Sequence, residues 1–371
     1  MKLSEIGELP LIETICKRFF KRSKDILVGI GDDAAVIKYH NKNLLMTTDM
    51  MVEGIHFDLS FMTPYQLGFK LVSVNVSDIY AMGGAPEYLL LNIAMNKNTE
   101  HSFILAFFDG VHVAMKLYGV SLIGGDLSST KNEMFIAASL TGNTDRPVKR
   151  SGAHPGDKIY VTGNLGDSAC GLEALKKIKK TVPIENTPSL TLPPRGGGMG
   201  GGDNSELQII ISKLSKLCLT WNTVKPLLKR HLMPIARNPK DFVKDATAMI
   251  DISDGLFIDL SRLCNESRVG AKLYATHIPI SRQMQKVSSV LKIDPFKLAV
   301  SGGEDYELLF TASRNSKLET LALASRLGRQ NSKLKITCIG EITKKERIVI
   351  DKRGKKSDLR AEGYQHFGIK R

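Results

Sequence analysis

Seven aspartates recur in one kind of local setting, each beside glycine or hydroxyl residues where an apolar run ends. They are Asp32 and Asp33 in GIGDDAAV, Asp49 after Thr47 and Thr48 in TTDMM, Asp78 in VNVSD, Asp126 after Gly125 in IGGD, and Asp251 and Asp254 on either side of Ser253 in IDISDG. Carboxylates gathered in one place repel one another, and a divalent cation resolves that conflict. Oxygen ligands without interleaved histidine or cysteine select Mg²⁺ or Mn²⁺ over Zn²⁺. Mg²⁺ keeps part of its water shell and joins carboxylates to substrate phosphates, so the chemistry open to this set is that of a nucleotide or phosphate ester. A plainer reading stands beside it: aspartate and glycine are common turn formers, and Asp254 could cap a following helix. Five such stretches in one chain favour the metal.

Two familiar phosphate motifs fail on inspection. Gly29-x-Gly31-x-x-Ala34 fits the dinucleotide fingerprint loosely, but Asp32 and Asp33 would meet a pyrophosphate with like charge. No GxxxxGK[ST] run is present, nor are the HRD and DFG signatures of protein kinases. His56, in VEGIHFD, lies seven residues beyond Asp49 and could donate to a substrate phosphate or ring, or simply pack beside Phe57. Arg150 could pair with a phosphate in bidentate fashion, or sit on the surface.

The runs around these residues say what must position them. ILVGIG, LLMTTDMMV, YLLLNIAM, SLIGGD and MFIAASLTG read as strands, while residues 64–83 and 101–118 have helical spacing. The first part of the chain therefore mixes strands and helices. Residues 4–22, with Ile6, Leu9, Ile12, Ile15, Cys16, Phe19 and Phe20, predict a further amphipathic helix. Two prolines and two glycines in DRPVKRSGAHPGDKIYVTG predict a boundary, giving units 1–148 and 149–371. The second unit begins with the strand KIYVTG and the helix DSACGLEALKKIKK. A helical stretch over 207–233 follows, then a strand, turn and helix in ATAMIDISDGLFIDLSRLCNES with the helix starting near Ser253. SGGEDYELLFTA is a glycine turn feeding a strand, and the tail from Lys335 alternates apolar and polar residues. Residues 181–206, where prolines precede six glycines, predict a flexible Pro/Gly-rich insertion that cannot pack a core.

Composition sets outer bounds. At 371 residues there is room for about two domains of roughly 150 residues each. Apolar residues at 42% and charged residues at 24% strike the ordinary globular balance and exclude a disordered or collagenous chain. The 52 basic and 38 acidic residues leave a net charge of +14, which suits anionic partners. The basic runs are short, and 6% aromatic residues offer little for base stacking, so no nucleic-acid partner is expected. Five widely spaced cysteines without a CxxC pair indicate neither a disulfide framework nor a structural zinc site. No signal peptide or membrane-length apolar run is read, so a cytoplasmic protein without a membrane partner is expected.

Taken together, GIGDDAAV, TTDMMVEGIHF, VNVSDIYAMGGAP, LIGGD, RSGAHPGDKIYVTG, IDISDGL and SGGEDYELLF resemble the thiamine-monophosphate kinase family. That family belongs with aminoimidazole ribonucleotide synthetase, selenophosphate synthetase and a hydrogenase maturation protein in one superfamily of ATP-dependent enzymes. The resemblance runs from about residue 4 to the end and is interrupted by the insertion. It implies transfer of the γ-phosphoryl group of ATP to thiamine monophosphate. It also implies a two-domain α/β fold whose N-terminal domain completes a β-barrel across a homodimer. By residue-for-residue match it implies Mg²⁺ ligands at Asp33, Thr47, Thr48, Asp49, Asp78, Asp126, Asp251 and Asp254, of which Asp49, Asp126 and Asp254 are the catalytic set. Nucleotide contacts would fall on Gly125, Asp126, Arg150 and Ser253, and substrate contacts on His56, Glu304 and Tyr364. Rivals are another enzyme of the superfamily or a catalytically silent nucleotide-binding protein. Against the first, the chain closes on FGIKR without the reactive cysteine of the hydrogenase maturation enzyme, and Cys16 in ETICKRFF does not resemble that of selenophosphate synthetase. Against the second stands the intact aspartate set.

Overall fold

The computed structural model describes residue 17 and residues 24–39, 41–182, 184, 204–316, 318 and 335–366. The helix expected over 4–22 and most of the 181–206 stretch lie outside them. Two sheets carry the described chain. The first contains β1 (Ile26–Val28), β2 (Ala35–Tyr39), β3 (Lys42–Val52), β4 (Ala85–Asn96), β5 (Ser121–Thr130) and β6 (Phe135–Thr144), in spatial order β1-β2-β3-β6-β4-β5. All its pairs are antiparallel except β4 with β5, which are parallel and joined by a helical crossover. The expected barrel is not formed within the chain: neither sheet closes on itself among the described residues.

Helices α1 (Pro64–Ala81) and α2 (His101–Tyr118) match the spacing read over 64–83 and 101–118. Thr63 starts α1 with a capping box, its hydroxyl accepting from the Gln66 amide while Gln66 Oε1 accepts from the Thr63 amide at 3.0 Å. The two helices cross on paired glycines. A Cβ on Gly68 would run into the Phe107 carbonyl, and one on Gly110 into the Tyr65 carbonyl. This close approach lets α1 lie between α2 and the sheet, buried nearly all round.

The second sheet is formed by β7 (Lys158–Thr162), β8 (Ala246–Ile252), β9 (Gly270–Tyr274), β10 (Glu307–Ala312), β11 (Ile336–Thr343), β12 (Arg347–Ile350) and β13 (Lys356–Asp358), in order β13-β12-β9-β11-β7-β10-β8. Its helices are α3 (Asp167–Ile178), α4 (Asn204–Lys216), α5 (Trp221–Leu232), α6 (Leu256–Ser267), α7 (Arg282–Leu291) and α8 (Pro295–Ser301). The single helix expected over 207–233 is thus two, α4 and α5, parted at Cys218, whose φ of 56° is left-handed. Buried Glu307 ties α5 to the sheet by pairing with Arg230, with Arg237 at 2.7 Å and with the Thr162 hydroxyl at 2.6 Å. At the head of the Pro/Gly stretch, Val182 and Ile184 are buried, and their carbonyls accept from Gln66 of α1. The start of that stretch therefore packs into the core, where the sequence predicts a loop. No helix among the described residues is long and apolar enough to cross a membrane.

Candidate active site

The two sheets meet α1 at an acidic cleft. Strand geometry decides which residues of TTDMM enter it, because successive side chains point to opposite faces. Thr47 and Asp49 of β3 turn toward α1, whereas the Thr48 hydroxyl bonds the Ala138 carbonyl at 3.0 Å and receives Ser139 on the other face. On α1, Lys70, Val74 and Asp78 stand at i, i+4 and i+8 and share one side. Thr47 Oγ1 donates to Asp78 at 2.6 Å, and Asn75 Oδ1 accepts from the Asp49 amide at 3.2 Å. From the second sheet, Asp251 at the end of β8 receives the Ser77 hydroxyl at 2.8 Å.

Carboxylate oxygens of Asp33, Asp78 and Asp251 lie within 4.8 Å of one another, Asp49 is close enough to repel Asp78, and Asp254 is close enough to repel Asp49. Burial and this mutual repulsion push Asp78 and Asp251 well above the usual carboxylate range and Asp49 up to about 6. The donor set fits a hard divalent cation: oxygen-only, crowded, and short of positive charge. Arg150 supplies part of that charge. It pairs with Asp33 in bidentate fashion at 3.0 and 3.2 Å, and its amide bonds the Asp32 carboxylate. Despite burial, Asp33 and Asp32 hold the guanidinium firmly in its charged form. Arg150, expected on the nucleotide, thus lies on an expected metal ligand.

Asp254 does not cap α6. The amides of Asp254 and Gly255 bond Asp259 Oδ2 at 3.1 Å, while the Asp254 carboxylate takes Arg262 at 2.6 Å. The helix begins at Leu256, three residues after the expected start, because Asp259 within its first turn does the capping.

The remaining wall is the 301–306 loop. Its Glu304 and Tyr306 have left-handed φ values of 65° and 48°, uncommon for residues with a Cβ. Their amides bond the Ser253 and Ile252 carbonyls at 2.7 and 2.9 Å, which holds them there. Glu304 meets two residues that sequence reasoning missed: Lys70 Nζ at 2.6 Å and His231 Nδ1 at 3.2 Å. Burial would raise the Glu304 carboxyl, but the Lys70 ammonium overcomes it and leaves it below its usual range. Burial also keeps His231 neutral, pushed down to about 3. Lys70 sits mid-helix among apolar neighbours and His231 in the basic last turn of α5, where the sequence carries no sign of which face looks into a cleft.

Together these walls enclose a cavity of ≈ 370 Å³ lined by Asp49, His56, Asp78, Asp251, Ser253, Asp254, Glu304 and Tyr364, with Tyr306 and His366 added by the structure. Thr48, Gly125 and Asp126 are not brought to it. In sheet register Asp49 faces Ala138, Ala138 faces Leu91, and Leu91 faces Gly125, so Gly125 is three strands away, on the order of 14 Å. Asp126 aligns with Asn92, Ala137 and Met50, on the face that Thr48 occupies. The glycine at 125 has a steric cause, since a Cβ there would run into the Leu91 carbonyl.

Fold and cleft define one of the AIR synthase related proteins. Residues 31–144 match that family's N-terminal domain and residues 219–352 its C-terminal domain. Thiamine-monophosphate kinase of Aquifex aeolicus (strain VF5) is 33% identical over 370 residues, 99% of this chain and 100% of its own length. That of Buchnera aphidicola subsp. Schizaphis graminum is 35% identical over 371 residues, 98% of this chain and 99% of its own. The solved structure of AaThiL complexed with AMPPCP and TMP is 32% identical, with a TM-score of 0.75 and 99% of each chain covered. The chain belongs to the thiamine-monophosphate kinase family.

Proposed function

We propose that this chain transfers the γ-phosphoryl group of ATP to the phosphate of thiamine monophosphate, giving thiamine diphosphate and ADP. The observation that carries the reading is the crowding of Asp33, Asp78 and Asp251 in one cleft, with Asp49 and Asp254 beside them, in a chain matched along its length by kinases of this family. Asp33, Asp49, Asp78, Asp251 and Asp254, with Thr47, are the residues that would hold Mg²⁺. Bound there, Mg²⁺ would supply positive charge against the phosphates of the nucleotide. Arg150 and Ser253 face the nucleotide in this reading. Glu304 holds the thiamine cation by charge, Tyr364 meets it with an aromatic ring, and the His56 ring offers a hydrogen bond. The acceptor phosphate is already ionised at neutral pH, so no general base is required of the chain.

The division into units near residue 149 belongs to the same reading, and so does a homodimer. One face of the first sheet is covered by α1; the other leaves Met50, Tyr88 and Leu90 at 60, 49 and 42% exposure, and the outermost strand β5 leaves Ile123 and Leu127 at 61 and 68%. A second copy laid on this face would bury Met50, Tyr88 and Leu90 and, by pairing along the β5 edge, close the barrel. Thr48 and Asp126 share that face and Gly125 lies on the same edge strand, so any part they take in binding depends on the dimer.

The test is a coupled assay for thiamine diphosphate from thiamine monophosphate and ATP, with and without Mg²⁺, on the wild type and on Asp49→Asn. Product from the wild type only with Mg²⁺, and a loss on the order of a hundredfold in a folded variant, are the expected results. A folded wild-type chain that binds ATP and forms no product overturns the reading.

A further inference from the structure

His366 has no part in the function as stated, yet it lines the same cavity. It stands two residues beyond Tyr364, whose amide bonds the Asp254 carbonyl at 3.1 Å and so pins this segment to the acidic loop. Gly363 permits the approach, because a Cβ there would run into the Ile258 side chain. The segment sets His366 Nε2 at 3.4 Å from His56 Nε2, and His366 Nδ1 at 3.4 Å from the Tyr364 hydroxyl.

The sense of this chain is fixed at its far end. The Val52 amide bonds His56 Nδ1 at 3.0 Å, and an amide nitrogen can only donate. A neutral His56 therefore carries its proton on Nε2, aimed at His366. His56 stays neutral because burial and the facing His366, aided by Lys70, depress its basicity more than Glu304 and the Val52 contact restore it. His366 Nε2 must then be bare to accept, which places the His366 proton on Nδ1, where the Tyr364 oxygen accepts.

We infer that His366 is a substrate-positioning residue: it accepts the His56 Nε2–H and so keeps that donor turned into the cleft, ready for an acceptor atom of the phosphate ester. On binding, the substrate takes the hydrogen bond that His366 held, and no ring has to be reoriented. The inference rests on the kinase reading of the cleft.

The test compares His366→Ala, His366→Phe and His366→Gln with the wild type, together with ¹⁵N spectra of the imidazole nitrogens in the ligand-free full chain. Alanine and phenylalanine, which cannot accept, are expected to raise KM for thiamine monophosphate about tenfold with KM for ATP and kcat within about twofold. Glutamine, whose carbonyl can accept, is expected to restore most of the loss. The spectra are expected to show Nε2–H on His56 and Nδ1–H on His366. Unchanged KM in the alanine variant, rescue by phenylalanine, or an Nε2–H on His366 each overturns the inference. Should the wild type make no thiamine diphosphate, the kinase reading fails, while the spectra still decide the hydrogen-bond chain.

Discussion

Lys70, Glu304 and His231 meet at the cavity wall, and the imidazole is the member that responds to acid. Its folded value near 3 lies below the 6.5 of an unperturbed histidine, so the unfolded chain binds the extra proton first as pH falls. His231 thus lends stability that is whole above about pH 6.5 and drains away toward pH 3, at up to about 1.4 kcal/mol per pH unit. His231→Gln keeps an amide donor for Glu304 without the titration. Between pH 7 and pH 4 it is expected to lose less stability than the wild type, measured by urea denaturation; parallel losses would show that His231 does not govern the acid limb. The sequence made most carboxylates of this site legible, because five apolar runs end on aspartate and four of them, all but IGGD, meet in one place. It could not show that Thr48 and Asp126 face away from Asp49, since strand alternation separates neighbours that a motif groups together.

Among the elements, the pairing of α1 with α2 depends most on particular residues. Gly110→Val puts side-chain atoms where the Tyr65 carbonyl lies, and backbone cannot yield as a rotamer does. A loss of about 3 kcal/mol is expected, read as a lowered denaturation midpoint by circular dichroism; an unchanged midpoint would mean that the helices do not cross this closely. Both helices were legible because apolar spacing over 18 residues is a long signal. The break between α4 and α5 was not, for Cys218 is a residue that gives no warning of a left-handed turn. Helix α7, RQMQKVSSVL, buries Met284, Val287 and Ser288, too thin an apolar stripe to stand out in the chain. Asp259 outcompeted Asp254 as the cap of α6 by geometry that only the folded turn reveals.

At the scale of the whole molecule, the uncovered sheet face is the one that the proposed dimer would bury. Leu90→Glu places a charge on that face, and the variant is expected to elute as a monomer where the proposal makes the wild type a dimer, measured by light scattering coupled to gel filtration. A dimeric variant would put the interface elsewhere. The two sheets also differ in what they ask of the chain. Among the described residues every left-handed non-glycine residue accompanies the second sheet: Lys179, Cys218, Arg268 and Lys292 where helices end, and Glu304 and Tyr306 in the 302–306 loop. Conformations of this kind cost about 1–3 kcal/mol each, and glycine would relieve them. Glu304→Gly would nevertheless leave buried Lys70 without the carboxylate that it shares with His231, at about 3–5 kcal/mol, so the strained residue is kept in place by the charge it neutralises. Durability and recognition at this loop rest on the same carboxylate.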